Sequence, residues 1–139
     1  MTMSIQNEKP IDLLRRLVEN VSSSDAGKKI LSDNPIDQVI VFEVSDGEPF
    51  MMVVKKGSTD IQIKSGSQPY KYPDTLLCKT DTKNITRLLS GQLRVGRAYV
   101  DNLIALRGEL LAKALLGNLV RINQEMLNPF VLDEFKYAP

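Results

Sequence analysis

The 139-residue sequence contains no histidine, no tryptophan and only one cysteine. Each shortage closes off chemistry. Without histidine the chain lacks the commonest general base, the usual activator of a serine or cysteine nucleophile, and the commonest metal ligand. Hydrolytic triads and Cys-His nucleophiles are excluded, and a lone thiol cannot supply a cysteine-based zinc site. Cys78 has no partner for an internal disulfide and lies in the apolar run Leu76-Leu77-Cys78, where a free cysteine behaves as a small buried hydrophobe. A reducing, cytoplasmic setting is therefore expected. Long apolar runs are missing too, since no stretch nears the roughly eighteen residues of a membrane span, and stable membrane insertion is not expected. Met1 to Pro10 includes Asn7, Glu8 and Lys9 and has no apolar segment of the secretory type. The final Tyr137-Ala138-Pro139 matches neither the Ser-Lys-Leu peroxisomal address nor a prenylation site.

Charge of either sign is in short supply as a field. Lysine and arginine exceed aspartate and glutamate by one, for a net charge of +1, so no global potential draws the chain to nucleic acid or to an anionic surface. The basic residues Lys28, Lys29, Lys55, Lys56, Arg15, Arg16, Arg94, Arg97, Arg107 and Arg121 are scattered, with no interleaved aromatics to stack on bases. No nucleic-acid partner is expected. The acidic residues are dispersed at turns and surface positions, so no carboxylate pair and no catalytic residue is assigned. Gly91-Gln92-Leu93-Arg94-Val95-Gly96 lacks the glycine, lysine and hydroxyl pattern of a phosphate loop; it suits a helix stop followed by a helix start. No metal site or cofactor is expected.

What the chain does have is clear periodicity. Ile11, Leu14, Leu17, Val18 and Val21 recur at helical spacing, with Pro10 fit for the first turn. The serines and aspartate at 22–25 cap a second helix over 26–31, which Asn34-Pro35 must end. Period-two runs at 38–44, 49–54 and 60–64, separated by Asp46-Gly47 and Lys56-Gly57-Ser58, predict a three-strand antiparallel meander. Residues 65–73 read as a connection and 74–79 as a fourth strand. Thr80 or Asp81 caps a helix carrying Ile85, Leu88 and Leu89 that Gly91 ends. A helical turn near Ala98-Tyr99-Val100 and an Asp101-Asn102 turn lead to a fifth strand over 103–106, which stops at Gly108. A long helix over 109–126 shows an apolar stripe at 110, 111, 115, 116, 119 and 120. Asn128-Pro129 ends it, leaving an apolar tail, 128–139, with Phe130, Val131, Leu132 and Phe135. One domain, with its core over about 11–127, is the expected organisation. A leucine stripe shows that something apolar is covered, and composition leaves open whether side chains or a ligand fill the space.

The order of these elements resembles the sterol carrier protein type 2 domain. The resemblance spans about Pro35 to Leu119. It rests on Asp46-Gly47, on Ile85-Thr86-Arg87-Leu88-Leu89-Ser90-Gly91-Gln92-Leu93, on Ala98-Tyr99, and on Leu103-Ile104-Ala105-Leu106-Arg107-Gly108 before an apolar helix. The Leu-Leu-x-Gly-x-Leu step at 88–93 is its most specific piece. The chain departs from the family in having Val95-Gly96 where proline is frequent, Asn102 where glycine is frequent, and Glu109 where Asn or Asp is common. Asn102 tolerates the left-handed conformation, so that turn is preserved.

The resemblance implies an α+β fold with a five-stranded, mostly antiparallel sheet, helices packed on one face, and a hydrophobic tunnel between them. It implies binding and transfer of a fatty acid, acyl-CoA, phospholipid, sterol or isoprenoid, without catalysis. The tunnel lining it implies is Phe50 and Met52 from the second strand, Leu88, Leu89 and Leu93 from the short helix region, Tyr99, Leu103, and Leu111, Leu115 and Leu119 from the last helix. Two other readings stand beside it. In one, the same fold is filled by its own side chains and serves as an interaction or oligomerisation domain, a homodimer forming through the tail. In the other, it presents acyl-CoA to a separate thiolase-type enzyme.

Overall fold

The computed structural model describes residues 8–66, 75–108 and 110–127. Helix α1 (Pro10–Ser23) begins as the sequence predicts, with proline in its first turn, where its missing N–H costs nothing. Leu13, Leu14, Leu17, Val18 and Val21 form its buried stripe. Ser24 then serves two helices at once. Its N–H and hydroxyl both donate to the Val21 carbonyl, at 3.1 and 2.8 Å, and its Oγ accepts the Gly27 N–H at 3.0 Å to cap α2 (Asp25–Ser32). So tight a corner needs glycine: a Cβ on Gly27 would lie 1.8 Å from the Val21 carbonyl oxygen.

Five strands follow, β1 (Gln38–Val44), β2 (Phe50–Val54), β3 (Ile61–Ser65), β4 (Thr75–Thr80) and β5 (Ala105–Arg107), arranged as β3-β2-β1-β4-β5. The first three form the expected antiparallel meander. The fourth pairs with β1 in parallel, from Val39 opposite Thr75 to Val44 opposite Thr80. The sheet is therefore mixed, with one parallel pair at its centre and antiparallel pairs elsewhere.

Helices α3 (Thr82–Leu89), α4 (Val95–Val100) and α5 (Leu110–Leu127) complete the described elements. One apolar cluster joins buried residues of all of them except β3 and β5, with Ile61, Ile63 and Leu106 packed against it from those two strands. Helices thus cover one sheet face. The other face holds a second cluster, Val39, Val41, Met51 and Val53 with Leu77 beside it. β1 and β2 are thus buried on both sides, and the period-two reading of these runs gives way to nearly continuous apolar strands.

The fifth strand is shorter than predicted. Asn102 takes the left-handed conformation, φ 59°, and the N–H groups of Leu103 and Ile104 both donate to the Ala98 carbonyl, at 2.8 and 3.4 Å. Leu103 and Ile104 therefore close off α4 instead of entering the sheet. Residue 109 and the apolar tail 128–139 lie outside the described residues, as does most of the predicted connection at 65–73.

Two glycine-to-alanine variants test the packing in opposite directions. Gly27→Ala should destabilise the protein by about 2 kcal/mol or more, because backbone must move to admit the methyl group. At Gly117, in the interior of α5, an added methyl group would meet nothing within 4 Å. Gly117→Ala should therefore stabilise the protein by about 0.5–1 kcal/mol. Urea unfolding of the two proteins measures both.

Candidate functional site

The helix layer is placed on the sheet by a few polar contacts. Asp81 accepts the Asn84 N–H at 2.8 Å as the N-cap of α3. Asp46, from the β1–β2 turn, accepts the Thr82 N–H at 2.7 Å on the same helix end. Hydrogen bonds from the Thr82 backbone and side chain hold the Asp46 carboxyl below its ordinary value. At the far end, Gly91 with φ 85° closes α3: Gln92 donates to the Arg87 carbonyl at 2.8 Å and Gly91 to Leu88 at 3.4 Å, the Schellman pattern. Asn123 of α5 completes the frame. Its Nδ2 donates to the Leu89 carbonyl at 3.3 Å, and its Oδ1 accepts from Asn20 Nδ2 at 3.2 Å, tying α1, α3 and α5 together.

Seven of the ten residues singled out from the sequence meet in the cluster between helices and sheet: Phe50, Met52, Leu88, Leu89, Leu93, Leu115 and Leu119. Leu103 packs against that cluster, half-buried. Tyr99 and Leu111 do not join them; they remain 47% and 51% exposed. Phe50 stacks on Phe42, its partner across β1 and β2, with ring centroids 4.9 Å apart.

Among the described residues, concavities reach this layer from several sides. One of about 550 Å³ lies between the start of α1 and the β1–β2 turn, within the size range of small-molecule sites. Pro10, Ile11, Val44, Pro49 and Phe50 form its apolar wall, and Lys9, Arg15, Asp12 and Glu48 stand around it with balanced charge. A smaller space of about 120 Å³ runs between α1 and α5, beside Leu13, Leu17 and Leu89. An open groove of about 670 Å³ lies by Leu103, whose carbonyl accepts from Thr80 Oγ1 at 3.0 Å and Asn84 Nδ2 at 3.4 Å.

Sequence reasoning missed Lys9, Pro10, Ile11 and Arg15 as residues of the 550 Å³ cavity, because a helix start carries no pattern that points to one. It also passed over two glutamines. Gln38 and Gln124 are buried, and their side chains include atoms without a hydrogen-bond partner. For Gln124 a signal existed: it falls four positions after Val120 and eight after Leu116, on the apolar stripe of α5.

No protein-family model and no curated protein sequence matches the chain. Its three-dimensional structure is similar to the sterol carrier protein domain 2 of Helicoverpa armigera, with 15% identity and a TM-score of 0.60 over 89% of this chain and 95% of that one. It is also similar to palmitated SCP2L2 from Aedes aegypti, with 16% identity and a TM-score of 0.57 over 81% of this chain and 95% of that one. A third similar structure is the ubiquinone synthesis protein UbiJ-SCP2, with 15% identity and a TM-score of 0.57 over 91% and 92% of the two chains. The fold expected from the sequence is the fold observed.

Two titrations check the local environments. Burial pushes the Cys78 thiol up to about 12, so native protein at pH 8 should react with iodoacetamide at least ~100-fold more slowly than unfolded protein. For Asp46, a lowered carboxyl value means stability that is present above the ordinary carboxylate range and lost as pH falls through it. The melting-temperature gap between the native sequence and Asp46→Ala should accordingly be widest near neutrality and narrow in acid. A gap independent of pH would show that the Thr82 contact does not depend on charge.

Proposed function

We propose, from a fold shared with sterol carrier protein 2 domains, that this chain binds a lipid-like apolar ligand in the layer between its helices and sheet and performs no chemistry on it. One observation carries the reading: the cavity of about 550 Å³ beside α1 has an apolar wall that ends on Phe50, and Phe50 is itself part of the main helix–sheet cluster. A hydrocarbon chain entering there would meet Phe50 and, through it, the apolar cluster. Each methylene removed from water gains about 0.8 kcal/mol, so ten gain roughly 8 kcal/mol before ordering and association costs reduce the total. Micromolar affinity with broad selectivity follows, and Met52, in the same cluster, supplies an adaptable side chain.

The rim narrows the choice of ligand. Among the described residues Lys9, Arg15, Asp12 and Glu48 line the opening, and Arg15 lies 3.8 Å from Asp12, so these residues do not concentrate positive charge for a multiply charged head such as acyl-CoA. A fatty acid, alcohol or isoprenoid with a small head fits this balance better.

Titration with a fluorescent fatty acid, preceded by native mass spectrometry of the purified protein, tests the assignment. Saturable binding is expected, and Ile11→Lys at the half-buried wall of the opening should weaken it at least ten-fold while circular dichroism stays unchanged. Absence of binding across fatty acids, alcohols and isoprenoids would instead favour a core filled by its own side chains.

A further inference from the structure

Gln124 lies on the buried stripe of α5, one turn beyond Val120, and is 4% exposed. Among the described residues neither its Oε1 nor its Nε2 has a hydrogen-bond partner. Its neighbour in sequence, Asn123, is also buried yet pairs both ends of its amide, with Asn20 and with the Leu89 carbonyl. The contrast matters because an amide desolvated without partners is strongly disfavoured, whereas leucine or methionine in the same place would cost nothing of the kind. On the sheet side, Gln38 opposes Val54 across β1 and β2, which puts it on the helix-covered face, and its Oε1 is likewise buried without a partner. Two walls of one apolar layer thus carry unused polar capacity.

We infer that Gln124 is the interior polar contact for the bound lipid: its amide receives a ligand group able both to donate and to accept, a hydroxyl or a carboxylic acid in its protonated form, while the hydrocarbon occupies the apolar layer. The inference rests on the lipid-binding reading and sharpens it to monofunctional lipids whose polar end is taken inward. A pure hydrocarbon leaves the amide unsatisfied. A large charged head cannot be desolvated there without a countercharge, and among the described residues none of the buried polar side chains is ionisable.

The test uses the full chain and Gln124→Leu, with Gln124→Met as the second variant should leucine disturb folding. Displacement of diphenylhexatriene, a hydrocarbon probe, is followed with hexadecanoic acid, hexadecanol and hexadecane as competitors. The native sequence should prefer the acid and the alcohol over hexadecane by ten-fold or more. In the variants that preference should fall to within about two-fold, diphenylhexatriene binding should persist, and the ligand-free protein should melt at a higher temperature. A variant that keeps the full preference for polar ends would overturn the inference and assign the amide to a buried water. No binding of the hydrocarbon probe or of any competitor by the native sequence would overturn the lipid-binding reading itself.

Discussion

The parallel pairing of β1 with β4 is the constraint on which the remaining architecture depends. Parallel neighbours end on the same side of a sheet, so the last residues of β1 and β4 lie together, and Ser45 donates to the Thr80 carbonyl at 2.9 Å. That contact brings the β1–β2 turn against the first turn of α3, where Asp46 and Asp81 satisfy two of its free N–H groups. With its start fixed, α3 lays Ile85, Leu88 and Leu89 on the sheet, and Gly91 reverses the chain so that Leu93 and Val95 are buried as well. Asn102 then returns the chain to β4 through β5. Each step uses a residue whose local chemistry allows one geometry and few others.

Much of this was legible from residue order. Pro10, Ser24, Asp81, Gly91 and Asn102 act where local rules place them, because capping and left-handed turns depend on a few adjacent atoms. The orientation of β4 was not legible. A short apolar run looks the same whichever way its neighbour points, so the pattern at 75–80 carries no direction. The fifth strand was overextended for a related reason: Leu103 and Ile104 are apolar in any setting, and only the carbonyl of Ala98, which takes both of their N–H groups, removes them from the sheet.

The packing of the candidate site was legible in part, along the same line. Helical and strand periods identify residues that turn inward, and seven of the ten proposed lining residues do meet in one cluster. Tyr99 and Leu111 belong to elements that face the cluster but lie on their outward sides, a distinction of about one position in a helix that sequence order resolves poorly. The rim escaped detection because its residues come from a helix start and a turn that are neighbours only after β1 and β2 pair. Gln124 escaped for the opposite reason: the apolar stripe was read by its leucines and valines, and a polar residue continuing it was left out.

The sheet edges have a consequence of another kind. Abundance multiplies encounters between unpaired strand edges in any sheet protein. Here one edge is β5, only three residues long and ending in Arg107. The other is β3, where exposed Gln62 and Lys64 alternate with half-buried isoleucines. Short or charged edges are poor templates for a second chain. Among the described residues both sheet edges therefore discourage one copy from extending its sheet into the next.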